Sequence, residues 1–246
     1  MPVSAISTSS LTVDYDGAEV LRNIEFSVRQ QKLTAIVGPN GAGKSTLIKA
    51  MLGLIPIRTG STTFFDLPLK KFQKNISYVP QRAQIDWEFP ASVFDVVAMG
   101  LYSELGLLRR FLPKHKDRIR NALLDVDMAN CATRQISKLS GGQQQRVFLA
   151  RSIVQNSTLV LLDEPFAGID AKSESVIVDI LRRQKDDGKS IVAVHHDLST
   201  IKNYFDDVIL INKSVIAHGP VTTVFTKENI EKTYGVPDLD FLTGRG

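Results

Sequence analysis

Polar and apolar residues alternate with period two in Ile24-Glu25-Phe26-Ser27-Val28, the pattern of a strand with one face in water. Leu33-Thr34-Ala35-Ile36-Val37 is almost wholly apolar and predicts a strand covered on both faces, and Leu11–Tyr15 predicts another short strand. From about Gly43 to Leu52 the period becomes helical, with Leu47, Ile48, Met51 and Leu52 on one side and Gly53 as the stop. The middle third stays helical. Ile119, Ala122, Leu123 and Val126 stripe a helix over Lys116–Met128, and a second begins near Gly141 with Val147, Ala150 and Val154 on one line. Strand–helix alternation then returns. Leu159–Leu162, Ile191–Val194 and Val208–Ile211 predict buried strands, and Val176, Ile177, Ile180 and Leu181 mark a helix that ends at Gly188. The pattern is α/β, interrupted by a helical insertion, with the two α/β segments expected to build one sheet.

Composition adds exclusions. Hydrophobic residues make up 43% and charged residues 23% of 246 residues, which rules out a disordered or collagen-like chain. The single cysteine, Cys131, cannot form an internal disulfide, so a stapled secreted scaffold is excluded and a reducing compartment is expected. No apolar run reaches the ~20 residues that span a bilayer, and Met1–Ser10 lacks the features of a secretory signal, so the chain reads as soluble and cytosolic. A net charge of +4 over this length identifies no partner. The densest basic stretch, Arg109 to Arg120, reads as a solvated helix face, with an acidic membrane surface and nucleic acid as the other readings.

Gly38-Pro39-Asn40-Gly41-Ala42-Gly43-Lys44-Ser45 matches G-x-x-x-x-G-K-[ST] in full, between a predicted strand and a predicted helix. Glycines let the backbone curl so that successive N–H groups converge on phosphate oxygens. The helix start, completed by Thr46, adds partial positive charge aimed at the same anion. Lys44 is placed to bridge the β- and γ-phosphates of a nucleotide, and the Ser45 hydroxyl to take one site on Mg²⁺. Downstream, Leu159–Leu162 delivers Asp163 and Glu164 at the carboxyl end of a buried strand, where ligands gather in open α/β sheets. Asp163 is expected to hold Mg²⁺ through water, and Glu164 to orient or deprotonate the attacking water.

A second anion-binding turn stands at Leu139-Ser140-Gly141-Gly142-Gln143, just before the strand that carries Asp163. With this run the sequence resembles the nucleotide-binding subunits of ATP-binding cassette (ABC) transporters over nearly its whole length. The resemblance implies one domain, 1–246. Its P-loop NTPase (RecA-like) core, about 1–88 and 156–246, carries an N-terminal antiparallel β region, and the inserted helical subdomain covers about 89–155.

The resemblance also implies roles. Tyr15 stands where the family stacks an aromatic ring on adenine, with the capping of a strand as the lesser reading. Gln81, in Tyr78-Val79-Pro80-Gln81, matches the glutamine that touches Mg²⁺ and the water. Gly168-Ile169-Asp170 matches the loop that crosses to the opposite protomer; Gly168 departs from the usual Ala-Leu-Asp form, while Asp170 is present. The family's switch histidine directly precedes an aspartate, which selects His196 before Asp197 and leaves His195 structural. Two cassettes are implied to pair head to tail, the Ser140 turn of each covering the ATP held by Lys44 of the other.

The segment from Val79 through Trp87, Phe89 and Pro90 to Gly100 is similar to the same stretch in bacterial importers of manganese, zinc or iron, as are Phe166–Asp170 and the segment from His218 to Gly235. Trp87 and Phe89 either line the cleft that receives the membrane subunit or pack inside the helical insertion. The implied protein is a homodimeric ATPase at the cytoplasmic face of the membrane. It energises permease subunits that an extracytoplasmic metal-binding protein supplies, without nucleic acid. A siderophore or cobalamin importer is the nearest alternative, and a cassette acting on nucleic acid or ribosomes a more distant one. An ATP-bound regulatory module without turnover is disfavoured by the presence of Glu164, Gln81 and His196 together.

Overall fold

All five residues of Leu33–Val37 are buried, as an unbroken apolar run requires of a strand with cover on both faces. The computed structural model describes residues 3–15, 17–87, 89–105 and 111–236; Glu88 of the aromatic segment and Arg109 and Arg110 of the basic stretch lie outside them. Along the chain the order begins β1 (Ile6–Tyr15), β2 (Ala18–Val28), β3 (Leu33–Val37), α1 (Lys44–Met51), β4 (Thr59–Phe64), β5 (Leu67–Pro68) and β6 (Ile76–Val79). It continues with α2 (Val93–Ala98), α3 (Pro113–Asp125), α4 (Gly141–Gln155), β7 (Leu159–Leu162) and α5 (Ala171–Asp186). The last elements are β8 (Ser190–Val194), β9 (Asp207–Asn212), β10 (Ser214–Pro220) and α6 (Lys227–Tyr234), with single helical turns at several joints. These residues group into two units, Met1–Gln73 with Lys189–Gly246, and Lys74–Gly188.

In the first unit, β2, β1, β4 and β5 form an antiparallel sheet in that order. Leu21, Ile24, Phe26 and Val28 point inward from β2 with exposed residues between Ile24, Phe26 and Val28, so the alternation read there holds. Both strands start earlier than the apolar pattern marks, β1 at Ile6 and β2 at Ala18. Apart from buried Ile6, the extra residues of β1 are polar and are kept in the sheet by pairing: Ser7 faces Thr63, Thr8 faces Thr62, and Thr8 Oγ1 accepts from the Phe26 N–H at 3.1 Å. In the same unit β10, β9, β3 and β8 lie side by side, with β9–β3 and β3–β8 parallel and β10 antiparallel to β9. The Phe26 ring meets the His218 ring edge-on at 6.4 Å, linking β2 to β10. β3 thus sits between two parallel neighbours, and its carboxyl end, where the loop to α1 departs, faces the region that ligands occupy in such sheets.

In the second unit β6 and β7 pair in parallel, from Ile76 opposite Leu159 to Val79 opposite Leu162. The helices bury the expected faces: Ile119, Ala122 and Leu123 of α3, Val147, Ala150 and Val154 of α4, and Ile177, Ile180 and Leu181 of α5. Val176 is only half-buried and Val178 takes the inward place. α3 starts at Pro113 rather than Lys116, because proline's fixed φ suits the first helical position. It ends at Asp125 rather than Met128, where Asp127 turns to a φ of 55°. Lys114, Lys116 and Arg120 are exposed on it, the solvated face expected of that part of the basic stretch.

Candidate functional site

The loop from β3 to α1 turns on two glycines in the left-handed region, Gly41 at φ 78° and Gly43 at φ 93°. Gly38 is required for space instead, since a Cβ there would stand 2.0 Å from the carbonyl oxygen of Ile211. Lys44, only 6% exposed, folds its ammonium back into the loop and donates to the carbonyls of Gly38 at 2.8 Å and Pro39 at 2.9 Å. The loop is pinned from outside by Lys213 N–H donating to Ala42 O at 3.0 Å. No side chain caps α1, so its first N–H groups face the loop as donors to an anion. Ser45 and Thr46 are half-buried beside it, and Pro39, Asn40 and Gly41 form its outer rim. Tyr15, in the same unit, ends β1 with its ring 62% exposed, as a stacking surface must be.

The second unit carries the carboxylates. Asp163 continues β7, its N–H donating to Val79 O at 2.9 Å, and is 1% exposed. Burial, with the Asp163 charge adding to it, pushes the Tyr78 phenol up to about 12, which keeps that neighbour neutral. Glu164, directly after Asp163, adopts φ 54°, a strained value for a residue with a Cβ. Gln81 Nε2 donates to Glu164 Oε2 at 2.7 Å, so the structure brings these two predicted site residues together. That bond leaves the amide oxygen of Gln81 as the atom a cation would take. The Asp163 carboxylate and the Gln81 amide oxygen are hard oxygen donors of the kind Mg²⁺ takes, and the Ser45 hydroxyl of the first unit has the same donor chemistry.

Ser140 caps α4 in a closed box: its Oγ accepts from Gln143 N–H at 3.4 Å, while Gln143 Oε1 accepts from Ser140 N–H at 3.0 Å. Ser140 is exposed and Gly142 buried. A Cβ on Gly142 would stand 2.5 Å from Ser173 Oγ, so the second glycine is needed for close approach to α5. Asp170 caps α5 by accepting from Ser173 N–H at 2.9 Å and Ser173 Oγ at 2.8 Å, and these bonds hold its carboxyl below the usual range. Ser173 therefore joins the Asp170 loop to the glycine turn. Sequence reasoning missed it; its spacing three residues after Asp170 is a capping signal, but nothing in the chain reveals its contact with Gly142.

The two histidines diverge as adjacent residues of an extended chain should. His196 is exposed in the first unit. His195 is 3% exposed, with Nε2 2.7 Å from Thr200 Oγ1 and its ring against Phe205 at 5.2 Å. Burial pulls its pKa down from 6.5 to about 4, against the opposing pull of Asp197. An unfolded chain takes up this proton first as the pH falls, so the stability from neutral His195 is complete above its ordinary pKa and is lost as pH drops towards 4. The shift corresponds to a loss on the order of 3 kcal/mol. Denaturant melts of the wild type and His195→Gln at pH 7 and pH 4.5 check this: the wild type should lose clearly more on acidification, and equal losses would show that His195 is not the group responsible.

Trp87 and Phe89 border an apolar cleft of about 270 Å³ with Pro80, Ile85, Met99 and Phe148. Trp87 is half-buried, edge-on to Phe148 at 5.6 Å, whereas Phe89 is 56% exposed. Trp87 thus packs on α4 while still facing the cleft, and Phe89 stands at its open side. No described helix is long and apolar enough to cross a membrane.

Comparison with known proteins gives the family. The sequence profile described as ABC transporter matches residues 21–167. The manganese transport system ATP-binding protein MntB of Listeria monocytogenes is 49% identical over 95% of this chain and 98% of its own. The zinc transport system ATP-binding protein TroB of Treponema pallidum is 47% identical over 98% of this chain and 91% of its own. Among solved structures, cbiO1 from Clostridium perfringens, part of the ABC transporter complex cbiONQ, superposes with a TM-score of 0.77 at 28% identity, covering 93% of each chain. A nucleotide-free ATP-binding cassette from an ABC transporter shares the fold at a TM-score of 0.79 and 21% identity, over 95% of this chain and 96% of its own. With its phosphate-binding loop, carboxylate strand and Ser140 turn all within the matched residues 21–167, the chain belongs to the ABC transporter family, as the ATPase coupled to transport.

Proposed function

We propose that this chain hydrolyses ATP to drive a membrane importer for a divalent or transition metal ion of the manganese, zinc or iron group. The observation that carries this reading is near-half identity, over almost the full length of both chains, to the manganese and zinc system proteins. In the proposed mechanism Lys44 and the N–H groups of the Gly38–Thr46 loop bind the β- and γ-phosphates, and Tyr15 stacks on the adenine. Ser45, Asp163 and Gln81 would hold Mg²⁺, which when bound neutralises charge on the transferring phosphoryl group. Glu164, oriented by Gln81, takes the proton of the attacking water, and His196 contacts the γ-phosphate. The Ser140–Gln143 turn and Asp170 serve the nucleotide held by a second copy of the chain, so that ATP favours a closed head-to-tail homodimer and hydrolysis opens it. The cleft at Trp87 and Phe89 receives a membrane permease at its cytoplasmic face, an exposed aromatic beside a shaped apolar hollow being a common docking anchor.

The test is to express the chain with the membrane protein encoded beside it and purify through a tag on the chain in mild detergent. Recovery of the integral membrane subunit, with ATPase activity raised by a metal-loaded extracytoplasmic binding protein, is the expected result. Recovery with nucleic acid or ribosomes and no membrane subunit overturns it.

A further inference from the structure

We propose that Arg82 is a positioning residue for ATP hydrolysis, tying the turn at Ser140–Gly142 to the loop that carries Gln81. Arg82 directly follows Gln81, yet the two side chains serve different partners. Gln81 donates to Glu164 at 2.7 Å, whereas Arg82 Nε donates to Gln144 Oε1 on the first turn of α4 at 3.0 Å. Gln144 is 3% exposed, and its Nε2 donates to Ile136 O at 3.1 Å, which fixes the amide so that its oxygen faces Arg82. The rest of the guanidinium lies against the start of the same helix: a Cβ on Gly141 would stand 3.1 Å from Nη1 and 3.3 Å from Cζ. A Cβ on Gly168 would stand 4.0 Å from Nη1, so the same group reaches the loop that leads to Asp170.

The far side of Arg82 is equally held. Its guanidinium lies 5.5 Å from the Trp87 ring centroid, and Trp87 Nε1 donates to Arg82 O at 2.9 Å. A cation beside the amino end of a helix opposes the helix dipole, so helix stability does not account for its location. Its planar fork instead fixes the separation of two segments, the Gln81 loop and the first turn of α4, and lies near the Gly168 loop. Any shift of residues 82–87 is then transmitted to the Ser140 turn through a rigid hydrogen-bonded group rather than through a flexible chain.

This inference rests on the reading that the Ser140 turn acts on ATP held by a second copy. In the isolated full-length chain, Arg82→Ala should lower kcat by roughly ten- to hundredfold, the size of effect that ångström-scale misplacement produces. Affinity for a fluorescent ATP analogue, titrated at dilute protein, should stay within twofold, because that site belongs to the loop at Lys44. Gln144→Ala should lower kcat less, and the double variant should be no slower than Arg82→Ala alone. Arg82→Lys, with one donor in reach of Gln144, should recover part of the rate. Melting temperatures check folding; should Arg82→Ala not fold, the Arg82→Lys and Gln144→Ala pair carries the same non-additivity test. A kcat within twofold of wild type, or effects that multiply in the double variant, overturns the proposal. Sedimentation of Glu164→Gln with ATP separates the two failures: a variant that stays monomeric removes the two-copy reading. One that dimerises equally well with Arg82→Ala added removes the role of Arg82.

Discussion

Glu164→Gln should lower kcat by roughly 10²–10⁴, the range a positioned general base supplies, while leaving ATP affinity within a few-fold of wild type. The structure explains why this substitution isolates the chemistry. Gln81 donates its amide N–H to Glu164 Oε2, and a glutamine at 164 offers a carbonyl oxygen to the same donor, so the contact survives. The left-handed turn at Glu164 is a backbone feature that glutamine tolerates as well as glutamate. What the amide cannot do is accept a proton from water. Steady-state turnover alongside equilibrium nucleotide titration is the measurement, and turnover within tenfold of wild type with binding unchanged would assign the base elsewhere. ATP that is bound and not hydrolysed should also hold two copies together, so the variant should sediment as a dimer with ATP and as a monomer with ADP.

Lys44→Ala should raise the dissociation constant for ATP by at least about a hundredfold, because the ammonium is the one full positive charge that the phosphate-binding motif itself supplies. Lys44 is buried and donates to the carbonyls of Gly38 and Pro39, so it also holds the loop in its curl. Its removal takes the Lys44 donor from Gly38 O, while Pro39 O keeps the Ala42 N–H at 3.1 Å, at a cost of about 1–3 kcal/mol in stability. Both readouts come from one experiment, thermal melts with and without nucleotide. The wild type should gain several degrees on adding Mg-ATP, while Lys44→Ala should melt slightly lower and gain nothing. A variant stabilised by ATP as strongly as the wild type would show that the loop binds without its lysine.

Short motifs and short apolar strands were legible in the chain because each is a local pattern. Leu33–Val37 and Leu159–Leu162 coincide with their predicted bounds, since a run buried on both faces has no polar residue to blur its ends. β4, with the sequence Thr-Gly-Ser-Thr-Thr-Phe, has no such signature and is a strand because β1 offers it a partner. The early start of α3 did have a local signal, Pro113 at the first helical position, whereas its cap, the Leu112 N–H donating to His115 Nδ1, is a bond that propensity does not encode.

The candidate site divides in the same way. The glycines at 41 and 43, the lysine at 44 and the acids at 163 and 164 could be read directly, because phosphate and metal chemistry demand those residue types at those spacings. Spacing alone could not tell which histidine is buried, that Gln81 reaches Glu164, or that Ser173 presses on Gly142. Nor could it place Arg82 against Gln144, sixty-two positions further along the chain. The chain by itself determined the chemistry on offer, since that depends on residue type and near neighbours. The tertiary structure decided which of those groups meet, since distances between segments far apart in sequence are set by packing and not by any pattern within them.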